Sequence, residues 1–306
     1  MKKTLVLNIR SISLAACVWA FACGTVHAQV SVFASVNGPG SILQYTPAGK
    51  QSTFFTGLVR PRGMAFDRTG NLYVATNPIA TQATILLLTP GGGETTLGAA
   101  DPNFFIEGLA TDSQGNVFAA ANDQTDPNLA CTIYKFTPAG LRSTFGSIPG
   151  EAFGLAFDAA GNLYIGDSIF QFIYKFAPNG TQSVFVGPSA FSSTQSPIGL
   201  AFDKSGNLYV STEDGNGDNL PGDAILKFTL NATESTFASG LLFPRGIAFD
   251  NAGNLFVAEV PSDVPGDILK FNSAGKKSVL ASSLGGPSGG AEFVVSPHQS
   301  GIGPRK

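Results

Sequence analysis

The sequence predicts an all-β chain: a six-bladed β-propeller of four-stranded antiparallel blades, closed by pairing of its N- and C-terminal strands. Three observations predict it. The phrase GMAFDRTGNLYVAT at Gly63 returns in near copies at Gly108, Gly154, Gly199 and Gly246, at spacings of 45, 46, 45 and 47 residues. A second phrase, of the kind ILKFTPAG followed by STF, occurs six times, from Ile42, Ile85, Ile133, Ile173, Ile225 and Ile268. The chain ends supply complementary parts of one more unit. Self-similarity at this period marks a repeat architecture.

Residues 1–28 read as a secretory signal. Lys2, Lys3 and Arg10 precede an apolar run, Ile12 to Ala22, too short to span a membrane, and Val26-His27-Ala28 offers small residues for cleavage. The mature chain is expected to begin near Gln29 and to be exported, to the periplasm or beyond. A lipid anchor on Cys23 fits poorly, because Phe21 is bulky for that signal. Cleavage would leave Cys131 alone, without a disulfide, packed at the start of a strand rather than acting as a nucleophile. No other long apolar run predicts a membrane span. A net charge of −3 without a basic run argues against nucleic acid as a partner.

Each unit reads as four short strands: GLAFD, NLYVA, ILKFTP and STFA. In the first hairpin Leu155 and Phe157 alternate with Ala156 and Asp158, a period of two, before the apolar run Leu163 to Ile165. An Asp opens the turn and a Gly three residues later takes positive φ. The recurring Asp67, Asp112, Asp158, Asp203 and Asp250, with Gly70, Gly115, Gly161, Gly206 and Gly253, are thus turn formers and not catalytic carboxylates. Pro-Ala-Gly or Pro-Asn-Gly turns the third strand into the fourth. At the N-terminus Val30–Val36 aligns with the second strand of a unit, and no GLAFD precedes it. The missing strand is found in GGAEFVV, Gly289–Val295; Phe293 beside Val30–Val36 completes the ring. Closure removes the open edges, whereas a solenoid would need polar caps. The propeller is expected over 29–296, a polar tail over 297–306, and a monomer.

PRGMAFDRTGNLYVAT, FGLAFDAAGNLYIGDS and PRGIAFDNAGNLFVAE resemble the NHL repeat and, more distantly, the senescence-marker/gluconolactonase and virginiamycin-lyase propellers. The resemblance spans Gln29–Val295 and is specific for fold, since propellers host unrelated activities. It departs from the NHL pattern where an acidic residue closes the second strand: Asp167 and Glu259 keep it, and Thr76, Ala121 and Thr212 replace it. The resemblance implies that GLAFD is the innermost strand. Residues just before it (Arg62, Glu107, Phe153, Ile198, Arg245) and just after NLYVA (Asn77, Asn122, Asp123, Asp167, Glu213, Asp214, Glu259) would then meet at one end of the channel. Arg62, Glu107, Asn122, Asp167, Glu213, Arg245 and Glu259 are the candidate ligand-binding set. The competing reading is solvated loop ends and strand caps.

No residue pattern demands a cofactor. A divalent cation such as calcium has local support in Asp214-Gly-Asn216-Gly-Asp218, oxygen ligands alternating with glycine, although position 12 of that loop is Ile225 and not a bidentate Glu. A flexible acidic loop explains the run equally well. Histidine excludes more: His27 lies in the signal and His298 in the tail, so neither the histidine base of the virginiamycin lyases nor a three-histidine zinc site has candidates inside a blade. A gluconolactonase-like metal held by carboxylate and amide oxygens survives, with Glu107, Asn122, Asp167, Glu213 and Glu259 of the right type. Gly91-Gly92-Gly93 is a turn with no lysine or helix after it to cradle phosphate, and no serine has a histidine partner. Phe104-Phe105, Phe170-Gln171-Phe172 and Leu241-Leu242-Phe243 suit either a protein- or glycan-binding face or packing between blades, and packing is the expectation. Two functions follow. The first is an exported binding scaffold for a protein, peptide or carbohydrate; the alternative is a metal-dependent lactonase- or esterase-type hydrolase.

Overall fold

The computed structural model describes residues 32–192, 194–214, 223–261, 265–284 and 291–295, the last stretch as backbone. The predicted signal and tail lie outside the described residues. Six four-stranded antiparallel sheets form. The first blade joins β1 (Val32–Val36), β2 (Ser41–Tyr45) and β3 (Gln51–Phe55) to the C-terminal β24 (Ala291–Val295). The second holds β4 (Pro61–Phe66), β5 (Leu72–Thr76), β6 (Thr84–Leu88) and β7 (Glu94–Ala99). The third holds β8 (Phe104–Thr111), β9 (Val117–Asp123), β10 (Cys131–Phe136) and β11 (Arg142–Ile148). The fourth holds β12 (Ala152–Phe157), β13 (Leu163–Asp167), β14 (Phe172–Phe176) and β15 (Gln182–Val186). The fifth holds β16 (Ser196–Phe202), β17 (Leu208–Glu213), β18 (Asp223–Phe228) and β19 (Glu234–Leu241). The sixth holds β20 (Pro244–Phe249), β21 (Leu255–Glu259), β22 (Gly266–Phe271) and β23 (Lys277–Leu284). The helical content among the described residues is one 3-10 turn, Pro188–Ala190.

Closure is as the sequence predicts. β24 runs antiparallel to β1 with Ser35 opposite Phe293 and Phe33 opposite Val295. The first strand of each blade touches the first strand of the next, from β4 through β8, β12, β16, β20 and β24 back to β4, so GLAFD is the innermost strand. Glycine permits this close approach: a Cβ on Gly108 would lie 2.1 Å from the Phe153 carbonyl oxygen, and one on Gly199 the same distance from that of Arg245. These strands begin about two residues earlier than the repeat suggests, because a bulge offsets Pro61 from Met64, and Pro244 from Ile247, against the second strand.

The core lies between blades. Six separate clusters of buried apolar side chains occupy the six blade interfaces. The repeated aromatics explain themselves there. Tyr164 of one blade meets Phe185 of the same blade and Phe202 of the next, edge to face at 5.0 and 4.9 Å. Phe33, Phe118 and Tyr209 repeat that triad. The lysine of IxKF lies over the same ring, as Lys175 does over Tyr164 at 5.5 Å. The turn reading also holds. Asp158 Oδ1 accepts the Ala160 and Asn162 N–H groups, its Oδ2 accepts the Asn162 side chain, and Gly161 has φ 82°.

Candidate functional site at the channel mouth

Antiparallel order places the loops entering each first strand on the same face as the loops leaving each second strand. Around the channel on that face, Arg62, Glu107, Phe153, Ile198 and Arg245 hold equivalent positions before the ring glycines. Ala291 pairs with Val36 as Pro244 pairs with Glu259, which gives Glu292 the sixth register position. Two residues earlier along each strand entry stand Arg60, Phe105, Glu151, Ser196 and Phe243, an upper tier. Phe105 and Phe243 are among the residues the sequence offers either as a binding face or as packing, with packing expected; Arg60, Glu151 and Ser196 were missed. The strand period of two, counted back from Arg62 and Phe153, is the signal that finds them.

The side chains of both tiers converge. Arg62 Nε stands 3.7 Å from Glu107 Oε2 across a blade interface. Arg245 Nε donates to Glu213 Oε1 at 2.9 Å, and the Arg245 guanidinium reaches over the ring of Phe153, two blades away, at 5.8 Å. Ile198 is buried in the blade between them. In the upper tier Arg60 lies over Phe105 at 5.1 Å. Glu151 is pushed up to about 7, first by burial and then by the charge of Glu107, against the pull of Arg245 and Arg62. Burial lowers the Arg62 guanidinium; Glu107 opposes that, while Arg245 and Arg60 add to it.

Two rim residues at matching positions, Arg60 (φ 48°) and Phe243 (φ 45°), adopt left-handed backbone directly before Pro61 and Pro244. Neither side chain favours that region, and a residue before proline prefers extended backbone. The ring fixes this strain at the mouth, the kind of place where strain accompanies function.

The remaining candidates sit behind the mouth and clasp backbone. The buried Asn122 side chain donates to the Ala152 carbonyl at 2.9 Å and accepts its N–H at 3.0 Å, tying the third blade to the fourth. Asn77 does the same for Ile106 between the second and third blades. Asp167, fully buried, accepts from Ile169 and Phe170 through Oδ1, and burial raises its carboxyl above the usual range. Glu259 Oε1 accepts from Leu242 and is raised for the same reason. Asp223, beyond the acidic run that starts at Asp214, accepts from Asp214 and Phe243 and is pushed up to about 6 by burial. Asn122, Asp167 and Glu259 therefore commit side-chain oxygens to backbone, and Asp167 Oδ2 is buried without a hydrogen-bond partner among the described residues. Strand-end polar groups were expected to face the channel, but unpaired N–H and C=O groups of neighbouring loops lie closer, and buried backbone demands partners. Of the exposed aromatic candidates, Phe104 packs on the core and Leu241 is buried, while Phe170 and its neighbour Ile169 stay exposed.

The oxygen-ligand metal implied by the gluconolactonase resemblance does not fit these residues. Three of its five candidate donors hold backbone and Glu213 holds Arg245; Glu107 Oε2 and Asp167 Oδ2 are buried without a hydrogen-bond partner, yet among the described residues no group of three or more His, Cys, Asp or Glu is placed to hold a metal ion. Asp214 is described, but Asn216 and Asp218 lie outside the described residues. The buried Cys131 thiol is raised by burial and is unreactive. Among the described residues, no helix is long and apolar enough to cross a membrane.

A six-bladed propeller with a mixed-charge mouth is the class that this geometry defines. Neither a family model nor a curated protein matches the chain. Solved structures do. A Bacteroides caccae protein of unknown function is 12% identical, with a TM-score of 0.62 over 88% of this chain and 99% of that one. An inactive Staphylococcus aureus virginiamycin B lyase with quinupristin is 14% identical, with a TM-score of 0.59 over 83% and 85%. A Xanthomonas campestris gluconolactonase is 17% identical, with a TM-score of 0.55 over 74% and 77%. At these identities the likeness is one of fold.

Proposed function

We propose that the protein is an exported binding scaffold that engages a protein, peptide or carbohydrate ligand at the channel mouth. One observation carries this reading. Asn122, Asp167 and Glu259 hold loops and blades through side-chain oxygens and Glu213 holds Arg245, while Arg62, Glu107, Glu151, Phe153 and Arg245 converge on the mouth. Convergent polar groups in a concave place bind ligands. The N-terminal charge, apolar run and small-residue site support export.

The test immobilises the protein from Gln29 onward beside an Arg62→Ala/Arg245→Ala variant and passes the exported fraction of the source cells over both. The expected result is a ligand retained by the parent and lost from a variant that still melts cooperatively as a folded protein. Turnover of lactones or esters that vanishes on Glu107→Gln in a folded protein would overturn the scaffold reading in favour of the hydrolase.

A further inference from the structure

One of the six contacts between innermost strands is built differently from the rest. Five blades carry glycine where the innermost strand passes the next blade: Gly63, Gly108, Gly154, Gly199 and Gly246. A Cβ on Gly63, Gly108, Gly154 or Gly199 would lie 2.1–2.6 Å from a carbonyl oxygen of the following blade. In the first blade Val294 pairs with Ala34 and Phe293 with Ser35, in the register that pairs Ile247 with Val257 in the sixth. Phe293 therefore stands at the glycine position. Any residue but glycine brings a Cβ to this place, and the two strands cannot approach as closely.

A pair of serines reports the difference. Ser211 is the fourth residue of β17 and Ser35 the fourth of β1, both with no exposure. Ser211 Oγ accepts the Gly199 N–H at 2.8 Å and donates to the Arg245 carbonyl at 2.6 Å, clasping the fifth blade to the sixth. The same clasp at Ser35 would join Phe293 to the Arg62 carbonyl. Instead Ser35 Oγ is buried without a hydrogen-bond partner among the described residues. A buried hydroxyl left unsatisfied costs free energy that the clasped one does not.

From Phe293 at the glycine position and the unmade Ser35 clasp, we infer that the ring opens at the seam between β24 and β4 before any of its other five contacts. Local opening starts where the fewest interactions are lost. Separation there carries the Glu292 position away from Arg62, so the mouth widens at one place while the other inner strands stay joined. The inference stands whether the mouth serves a ligand or a substrate.

Native-state hydrogen exchange of the protein from Gln29 to Lys306 tests it. The amides of β24 are expected to exchange at least about tenfold faster than those of β16, the innermost strand with the serine clasp. Ser211→Ala is expected to speed exchange in β16 at least about fivefold, whereas Ser35→Ala leaves β24 within about twofold of the parent, because no clasp is lost. Phe293→Gly is expected to slow exchange in β24. Should that variant fail to fold, Gly199→Ala, which puts a Cβ against the Arg245 carbonyl, is expected to speed exchange in β16 instead. Protection of β24 equal to that of β16, or Ser35→Ala speeding β24 as much as Ser211→Ala speeds β16, overturns the inference.

Discussion

Asn122 and Arg62 are both polar, both sit at the channel end of a blade, and do opposite things. Asn122 faces a neighbouring backbone and satisfies both polar groups of Ala152 in a site with no exposure. Removing its amide would leave a buried donor and acceptor unpaired, each costing about 1–3 kcal/mol. Asn122→Ala is therefore expected to lower stability by roughly 2–4 kcal/mol in urea denaturation, with Arg62→Lys, which keeps a cation beside Glu107, costing under about 1 kcal/mol. Equal losses would contradict the division between clasp and mouth. The division was only half legible in the sequence. Arg62, Glu107, Glu213 and Arg245 were found because they flank the repeated strands, and they do converge. Asn122, Asp167 and Glu259 looked the same on paper. Whether a strand-end oxygen faces the channel or an adjacent amide depends on the path of a loop that the repeat does not encode.

At the scale of strands and their connecting loops, the raised carboxyls share a location. Asp167 closes β13, Glu259 closes β21, Asp223 opens β18 and Glu151 enters β12, all at the mouth ends of their strands. A carboxyl whose pKa is higher in the folded protein holds its proton more tightly there. The folded state then carries more protons between the ordinary carboxylate range and the raised value, from 3.8 to about 6 for Asp223 and from 4.5 to about 7 for Glu151. Stability is thus fullest below that window and falls as pH rises through it. Partial exposure of Glu151 to the channel reduces its share, so a net loss on the order of 1–2 kcal/mol is expected between pH 5 and pH 8. That corresponds to a melting temperature lower by roughly 2–8 °C at pH 8. Glu151→Gln should flatten the upper part of the profile. A profile that rises toward pH 8 would contradict the burial of these groups. Strands and turns themselves were the most legible part of the chain, because period-two alternation and the Asp-to-Gly turn recur in nearly every blade and the aromatic triad in four.

Across the whole molecule, repetition and function divide the sequence between them. What repeats builds the ring: ring glycines, triad aromatics, a lysine over the ring in four blades, and a terminal strand pair that leaves no gap. What differs from blade to blade lines the mouth, where equivalent positions carry Arg, Glu, Phe, Ile and Arg. The repeat therefore makes the fold almost completely legible and the site poorly so. A site made of the non-repeating positions has no consensus to betray it. The central claim is that the strand-end oxygens serve the ring and not a cation, and a thermal melt tests it most directly. The protein from Gln29 onward is melted after chelation and again with millimolar calcium, manganese or zinc. A cation bound only by the folded form at about 100 times its dissociation constant would stabilise it by about 2.7 kcal/mol, a visible shift. The account predicts coincident melts in every buffer, with Asn122→Ala uniformly lower. An ion-selective rise that Asp167→Asn or Glu107→Gln abolishes would contradict it and put the metal-dependent hydrolase ahead of the scaffold.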